Sequence, residues 1–103
     1  MKLSFSPLAT DDLMEIASFI AHDNPARALT FVDQLQQKCH LLGVSPGLGT
    51  SRPELGAGAG VKMLPFGRYL IFYREANKGL RIERIMHSAR DLRDQDFEGA
   101  EPH

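Results

Sequence analysis

The feature that most limits the folds open to this chain is the break His22-Asp23-Asn24-Pro25, set between two long amphipathic runs. Before it, Ala9, Leu13, Ile16, Ala17 and Ile20 recur at helical spacing; after it, Ala28, Val32, Leu35, Cys39 and Leu42 do the same. Asn24 can accept from the first free N–H groups of a new helix, and Pro25 fits the first helical position, where no backbone donor is needed. The same chemistry opens the first run, where Ser6 is a cap and Pro7 follows it. Asp11 and Asp12 sit early in that run, near the positive end of the helix dipole. Two helices joined by so little chain lie nearly antiparallel, so a helical hairpin with one apolar seam is predicted, closing at Gly43.

What surrounds the hairpin reads as strand. Lys2 to Phe5 alternates polar and apolar residues, which suits a short strand buried on one face. Residues 43–60 hold six of the nine glycines together with Pro46 and Pro53, which predicts an irregular connection. Three apolar runs follow, Val61–Leu64, Tyr69–Tyr73 and Leu80–His87, with Pro65-Phe66-Gly67 and Asn77-Lys78-Gly79 as turns. Turns this short make an antiparallel meander. The expected class is α+β: an N-terminal strand, then an antiparallel helical hairpin packed on a mostly antiparallel sheet that ends in a three-stranded meander. At 103 residues the chain fits one domain, which we place at residues 1–93, with a polar acidic tail at 94–103. One strand departs from the simple picture. Tyr69-Leu70-Ile71-Phe72-Tyr73 is apolar on both alternating faces, although a sheet with helices on one side should be polar on the other. Either a partner or the chain's own C-terminal segment covers that second face.

The net charge of −1 conceals an uneven distribution. Residues 52–93 carry nine Lys and Arg against four Asp and Glu, whereas residues 94–103 carry four acids and neither Lys nor Arg. The basic stretch implies an anionic partner, nucleic acid or acidic polypeptide, or else an ordinarily solvated sheet face. No apolar run approaches the roughly 18 residues that cross a bilayer, and no charged leader precedes one, so a cytoplasmic protein without membrane contact is expected.

Several chemistries are excluded or narrowed by the same reading. Gly56-Ala57-Gly58-Ala59-Gly60 lacks the Lys and the Ser or Thr of a phosphate loop, since Val61 and Lys62 follow it. His22, His40 and His103 are scattered, and Cys39 stands alone on the apolar seam, so neither a metal site nor a thiol nucleophile is expected and no cofactor is implied. The informative cluster is Glu54, Lys62, Arg68, Arg74, Arg84, His87 and Arg90. Arg68 opens the middle strand and His87 closes the last, so antiparallel pairing brings them near each other. A histidine beside a guanidinium can move a proton while the arginine steadies a phosphorane-like charge, which is the minimum for metal-free RNA cleavage; Arg90 would assist. The alternative is a surface histidine that ends a strand and pairs with Asp91.

Taken in order, these residues resemble toxins of the RelE/ParE superfamily over nearly the whole chain. Ala9, Asp12-Leu13, Glu15-Ile16, Phe19-Ile20-Ala21, Asn24-Pro25-Ala26-Arg27-Ala28, Phe31-Val32 and Leu35 are similar to the helical hairpin of ParE-type members. So are Pro46-Gly47-Leu48-Gly49, Arg52-Pro53-Glu54-Leu55, Phe66 with Arg68-Tyr69-Leu70-Ile71-Phe72-Tyr73-Arg74, and the closing Ile82, Arg84-Ile85-Met86-His87-Ser88-Ala89-Arg90-Asp91-Leu92. The resemblance implies a type II toxin held inactive by a cognate ParD-like antitoxin. The antitoxin's C-terminal part wraps the toxin while its N-terminal part binds operator DNA, so the toxin meets the operator only through it. Such a wrap would cover the two-sided strand at Met63, Tyr69, Ile71, Phe72, Tyr73 and Arg74. ParE-type members poison DNA gyrase, with Arg84, His87, Arg90 and Arg93 as the target-facing candidates here; RelE-type relatives cut mRNA in the ribosomal A site. This chain leans to the first branch. Ser88, not an aromatic residue, follows His87, Phe97 has no hydroxyl, and the tail is acidic. The alternatives are a ribosome-dependent endoribonuclease using Arg68, His87 and Arg90, or a non-toxic module that only binds the antitoxin.

Overall fold

Ser6 is where strand becomes helix, and its hydrogen bonds show how the two are joined. The computed structural model describes residues 2–52, 60–76 and 78–88. Strand β1 (Lys2–Phe5) runs parallel to the last strand, β5 (Gly79–His87), with Phe5 opposite Ile82. The chain then turns into helix α1 (Pro7–Asp23): the Ser6 N–H donates to the Ile82 carbonyl at 2.9 Å, and its hydroxyl donates to the Glu83 carbonyl at 2.7 Å while accepting from Ala9 N–H. The cap of α1 thus continues the β5 edge after β1 has ended.

Asn24 closes α1 and opens helix α2 (Pro25–Val44), its side chain accepting from Arg27 N–H at 3.1 Å. The predicted hairpin is present. Helix α2 extends one residue past Gly43, which is buried in the last turn, and Ser45 takes the C-cap position. The connection expected to be irregular contains a 3₁₀ turn (Pro46–Leu48) and a two-residue strand, β2 (Thr50–Ser51). Residues 53–59, including the glycine run up to Ala59, lie outside the described residues.

Strands β3 (Lys62–Phe66), β4 (Tyr69–Ala76) and β5 form the predicted antiparallel meander, and the sheet order is β1-β5-β4-β3-β2. Pro65 and Phe66 belong to β3 rather than to its turn. Pro65 lies beyond the part of β3 that β2 pairs, on an open edge where a strand tolerates proline. The turn itself falls on Gly67, whose φ of +58° suits a residue without Cβ. Opposite Phe72 and Tyr73, β5 carries one extra residue: Phe72 pairs with Arg84 and Tyr73 with Ile82, so Glu83 forms a bulge.

Both helices pack on one face of the sheet. Ala9, Phe31, Leu35, Cys39 and Leu42 meet Ile71, Tyr73, Leu80, Ile82 and Ile85 in the main core. A smaller cluster of Val61, Phe72 and Met86, flanked by Met63 and Leu70, occupies the other face. Phe72 is fully buried and Met86 nearly so on this second face. No helix among the described residues is long and apolar enough to cross a membrane.

Candidate functional site

Antiparallel pairing of β4 with β5 sets Tyr69 opposite His87, and the Ser88 N–H donates to the Arg68 carbonyl at 2.9 Å. Arg68 and His87 therefore occupy adjacent positions at the same end of the sheet, as their places in the meander predict. The His87 ring meets Tyr69 edge to face, with centroids 5.4 Å apart. Tyr69 in turn meets Phe31 at 5.3 Å, and Phe31 meets Phe66 at 5.6 Å. This aromatic ladder joins α2 to the β3–β4 turn. Its members Phe31, Phe66 and Tyr69 line a groove of about 480 Å³ between the helical hairpin and that turn. Arg27 stands over the Phe31 ring at 5.8 Å, Arg68 also lines the groove, and Phe19, another lining residue, is 74% exposed. Phe31 escapes a seam read as Ala28, Val32 and Leu35. The spacing Ala28, Phe31, Leu35, Cys39, Leu42 describes the buried face better, and Val32 is only half-buried.

The other charged candidates are held elsewhere. Arg84 forks onto Asp12, Nε to Oδ2 at 2.8 Å and Nη2 to Oδ1 at 2.9 Å, and both side chains are nearly buried. Asp12 Oδ2 also accepts the Ile85 N–H at 3.0 Å. Hydrogen bonding to Asp12 raises the Arg84 pKa further above its ordinary value, so its charge is permanent. Arg84, one of the target-facing candidates, thus ties α1 to β5. On the helix-free side, Arg74 donates to the fully buried carboxylate of Glu83, and Arg81 Nε lies 3.7 Å from the same oxygen. Of the predicted partner-facing set, Ile71, Phe72 and Tyr73 are buried in the chain, whereas Met63, Tyr69 and Arg74 keep part of their surface. Arg90, Arg93 and Glu54 lie outside the described residues.

Sequence reasoning missed Asp12 and Glu83 as buried partners. Asp12 gives no signal, because its position in the first turns of a helix already explains an acid there. Glu83 leaves a trace: the apolar alternation Leu80, Ile82 slips phase at Ile85, as a bulge requires. Among the described residues, no group of three His, Cys, Asp or Glu side chains could hold a metal ion.

A helical hairpin on one face of a five-stranded, mostly antiparallel sheet has a counterpart among solved structures. A chain solved in the chromosomal ParDE TA system from P. aeruginosa superposes with a TM-score of 0.70 at 24% identity, over 84% of this chain and 95% of that one. No curated protein matches the chain. The family model of the ParE toxin of type II toxin–antitoxin systems, parDE, matches residues 3–92, and the chain belongs to that family.

Proposed function

We propose that this ParE-family chain is a toxin that inhibits DNA gyrase without catalysing a reaction and is neutralised by a cognate ParD-like antitoxin. The observation that carries the reading, beside the family match, is how members of the charged cluster are committed within the chain. His87 lies edge-on against Tyr69, Arg84 is forked onto Asp12, and Arg74 is held by buried Glu83. Metal-free RNA cleavage needs a proton-transfer group and several cations converging on one phosphate, and the internal pairing of Arg74 and Arg84 takes two of the cluster's cations away from that task. The antitoxin contacts Met63, Tyr69 and Arg74, with Ile71, Phe72 and Tyr73 as the buried support beneath them. Its own N-terminal part reaches operator DNA. His87, exposed at the end of β5, remains the target-facing candidate among the described residues.

The adjacency of Arg68 and His87 supports a second reading, a ribosome-dependent endoribonuclease. Expression without antitoxin, read separately for DNA breaks and for mRNA 5′ ends, distinguishes the two. The proposal expects gyrase-linked breaks, suppressed by co-expressed antitoxin, and unchanged 5′ ends. New 5′ ends that vanish in His87→Ala would transfer the function to RNA cleavage. Unimpaired growth would leave only an antitoxin-binding module.

A further inference from the structure

We infer that a cleft over Gly79, at the end of the sheet opposite Arg68 and His87, binds a phosphomonoester, the dianionic group of a nucleotide, through Lys2, Ser4 and Arg81. The cleft holds about 250 Å³ and is lined by Lys2, Ser4, Ala76, Gly79 and Arg81. Its position follows from the strand faces. Leu3 and Phe5 pack on the main core, as do Leu80 and Ile82, so Lys2, Ser4, Gly79 and Arg81 belong to the helix-free side. Gly79 pairs with Lys2 on one flank and Ala76 on the other, while Arg81 pairs with Ser4 and Arg74. Two small residues side by side thus leave a hollow beside polar neighbours. Glycine is required at its base, because a Cβ at position 79 would stand 2.6 Å from the Lys2 carbonyl oxygen.

Charge selects the ligand. Arg74 and Arg81 lie directly opposite each other, an arrangement that repels unless a counter-charge is built in. Glu83 supplies it: its fully buried carboxylate accepts from Arg74 and lies 3.7 Å from Arg81 Nε. A buried carboxylate is costly to separate from its cations, so it holds the two arginines beside the cleft before any ligand arrives. Three cations, Lys2, Arg74 and Arg81, stand against this one carboxylate on the helix-free side. The excess of two positive charges matches a phosphomonoester, which carries about 1.5 to 2 negative charges near pH 7, better than a singly charged phosphodiester or carboxylate. No acid is found among the described lining residues. The Ser4 hydroxyl makes only a long contact, 3.5 Å, with the Leu80 carbonyl and can turn to a ligand. Donors from β1 and β5 then meet a tetrahedral group from two sides. The cleft is separate from the Arg68 and His87 end: Ala76 with Gly79 closes one end of the β4–β5 ladder and Tyr69 with His87 the other, roughly 25 Å along the strand.

The test is titration calorimetry of the full chain with adenosine 5′-monophosphate, adenosine, and a short single-stranded DNA with and without a 5′-phosphate. Each phosphorylated ligand should bind at least about tenfold more tightly than its counterpart, as loss of charge-assisted hydrogen bonds implies. Inorganic phosphate should displace both. Arg81→Gln and Lys2→Gln should each weaken nucleotide binding by about tenfold on the same grounds. Because Arg81 also serves Glu83, a second pair of variants guards against a loss of fold: Ala76→Glu, which sets a carboxylate in the cleft, should abolish binding, whereas Ala76→Gln, similar in size and uncharged, should retain part of it, both with unchanged circular dichroism. Equal affinity for the nucleotide and adenosine overturns the assignment, as does unaltered binding in Lys2→Gln and Ala76→Glu. A strand that binds equally with and without its terminal phosphate would give this face to a nucleic-acid backbone, and displacement of the nucleotide by a glutamate-rich peptide would give it to an acidic polypeptide; either result overturns the phosphomonoester site. So does about a tenfold gain on Asp94→Asn with Asp96→Asn, which would give the cleft to the chain's own acidic tail.

Discussion

The Tyr73 hydroxyl does two things from one buried position. It accepts the Gly49 N–H at 2.8 Å and donates to the Pro46 carbonyl at 2.7 Å, fastening the 3₁₀ turn to β4. A Cβ at Gly49 would stand 2.4 Å from that hydroxyl, so glycine is required there by close approach. Tyr73→Phe strands a donor and an acceptor and should reduce stability by about 1–2 kcal/mol in urea unfolding; an unchanged midpoint would contradict the clamp. Burial pushes the Cys39 thiol from 9.0 up to about 12. Because the folded value is raised, the stability tied to this group is fully present below pH 9 and is lost as pH rises toward 12. Between pH 8 and pH 10 that loss is about 1 kcal/mol, and Cys39→Ala should show a correspondingly shallower dependence. Identical pH dependence in the two proteins would refute it. Such residue-level detail was only partly legible. Cys39 was readable as a core residue from its place on the seam, but Tyr73 was readable only as apolar, because its hydroxyl's partners are 24 and 27 positions away.

At the scale of elements, the joint between α1 and β5 replaces a missing strand neighbour. Beyond Ile82, β5 has no β1 residue opposite it; the Ser6 hydroxyl donates to the Glu83 carbonyl, and Asp12 accepts the Ile85 N–H. Asp12→Asn keeps the shape but leaves the Arg84 charge uncompensated in a nearly buried site. It should lower unfolding stability by about 3 kcal/mol, while a loss under about 0.5 kcal/mol would show that the pair is no more than a surface contact. The element boundaries themselves were readable where a local chemistry marks them. Ser6-Pro7 and Asn24-Pro25 begin the helices as expected, because caps and prolines act within a few residues. The β2 strand was not, since two residues in a glycine-rich segment become a strand only by pairing with Lys62 and Met63. Nor was the parallel alignment of β1 with β5, which depends on residues 77 positions apart in the register.

For the whole molecule, the hairpin and meander are enough to define the family fold, and the unequal charge becomes intelligible within it. Basic side chains cluster on β3 to β5, yet Arg74 and Arg84 are held by internal carboxylates, which composition could not reveal. The second face of β4, apolar in sequence and read as covered by a partner or by the chain's own C-terminal segment, holds Phe72 fully buried. At the helix-covered face a groove takes its parts from α1, α2 and the β3–β4 turn. That assembly was invisible in sequence because Phe19, Phe31 and Tyr69 converge only after the hairpin packs on the sheet. Inhibition of gyrase is tested most directly by purified chain added to purified gyrase and relaxed plasmid. Supercoiling should stall and linear DNA should accumulate at micromolar protein, with both effects reversed by antitoxin. Full supercoiling activity with no broken DNA at that concentration would contradict the account.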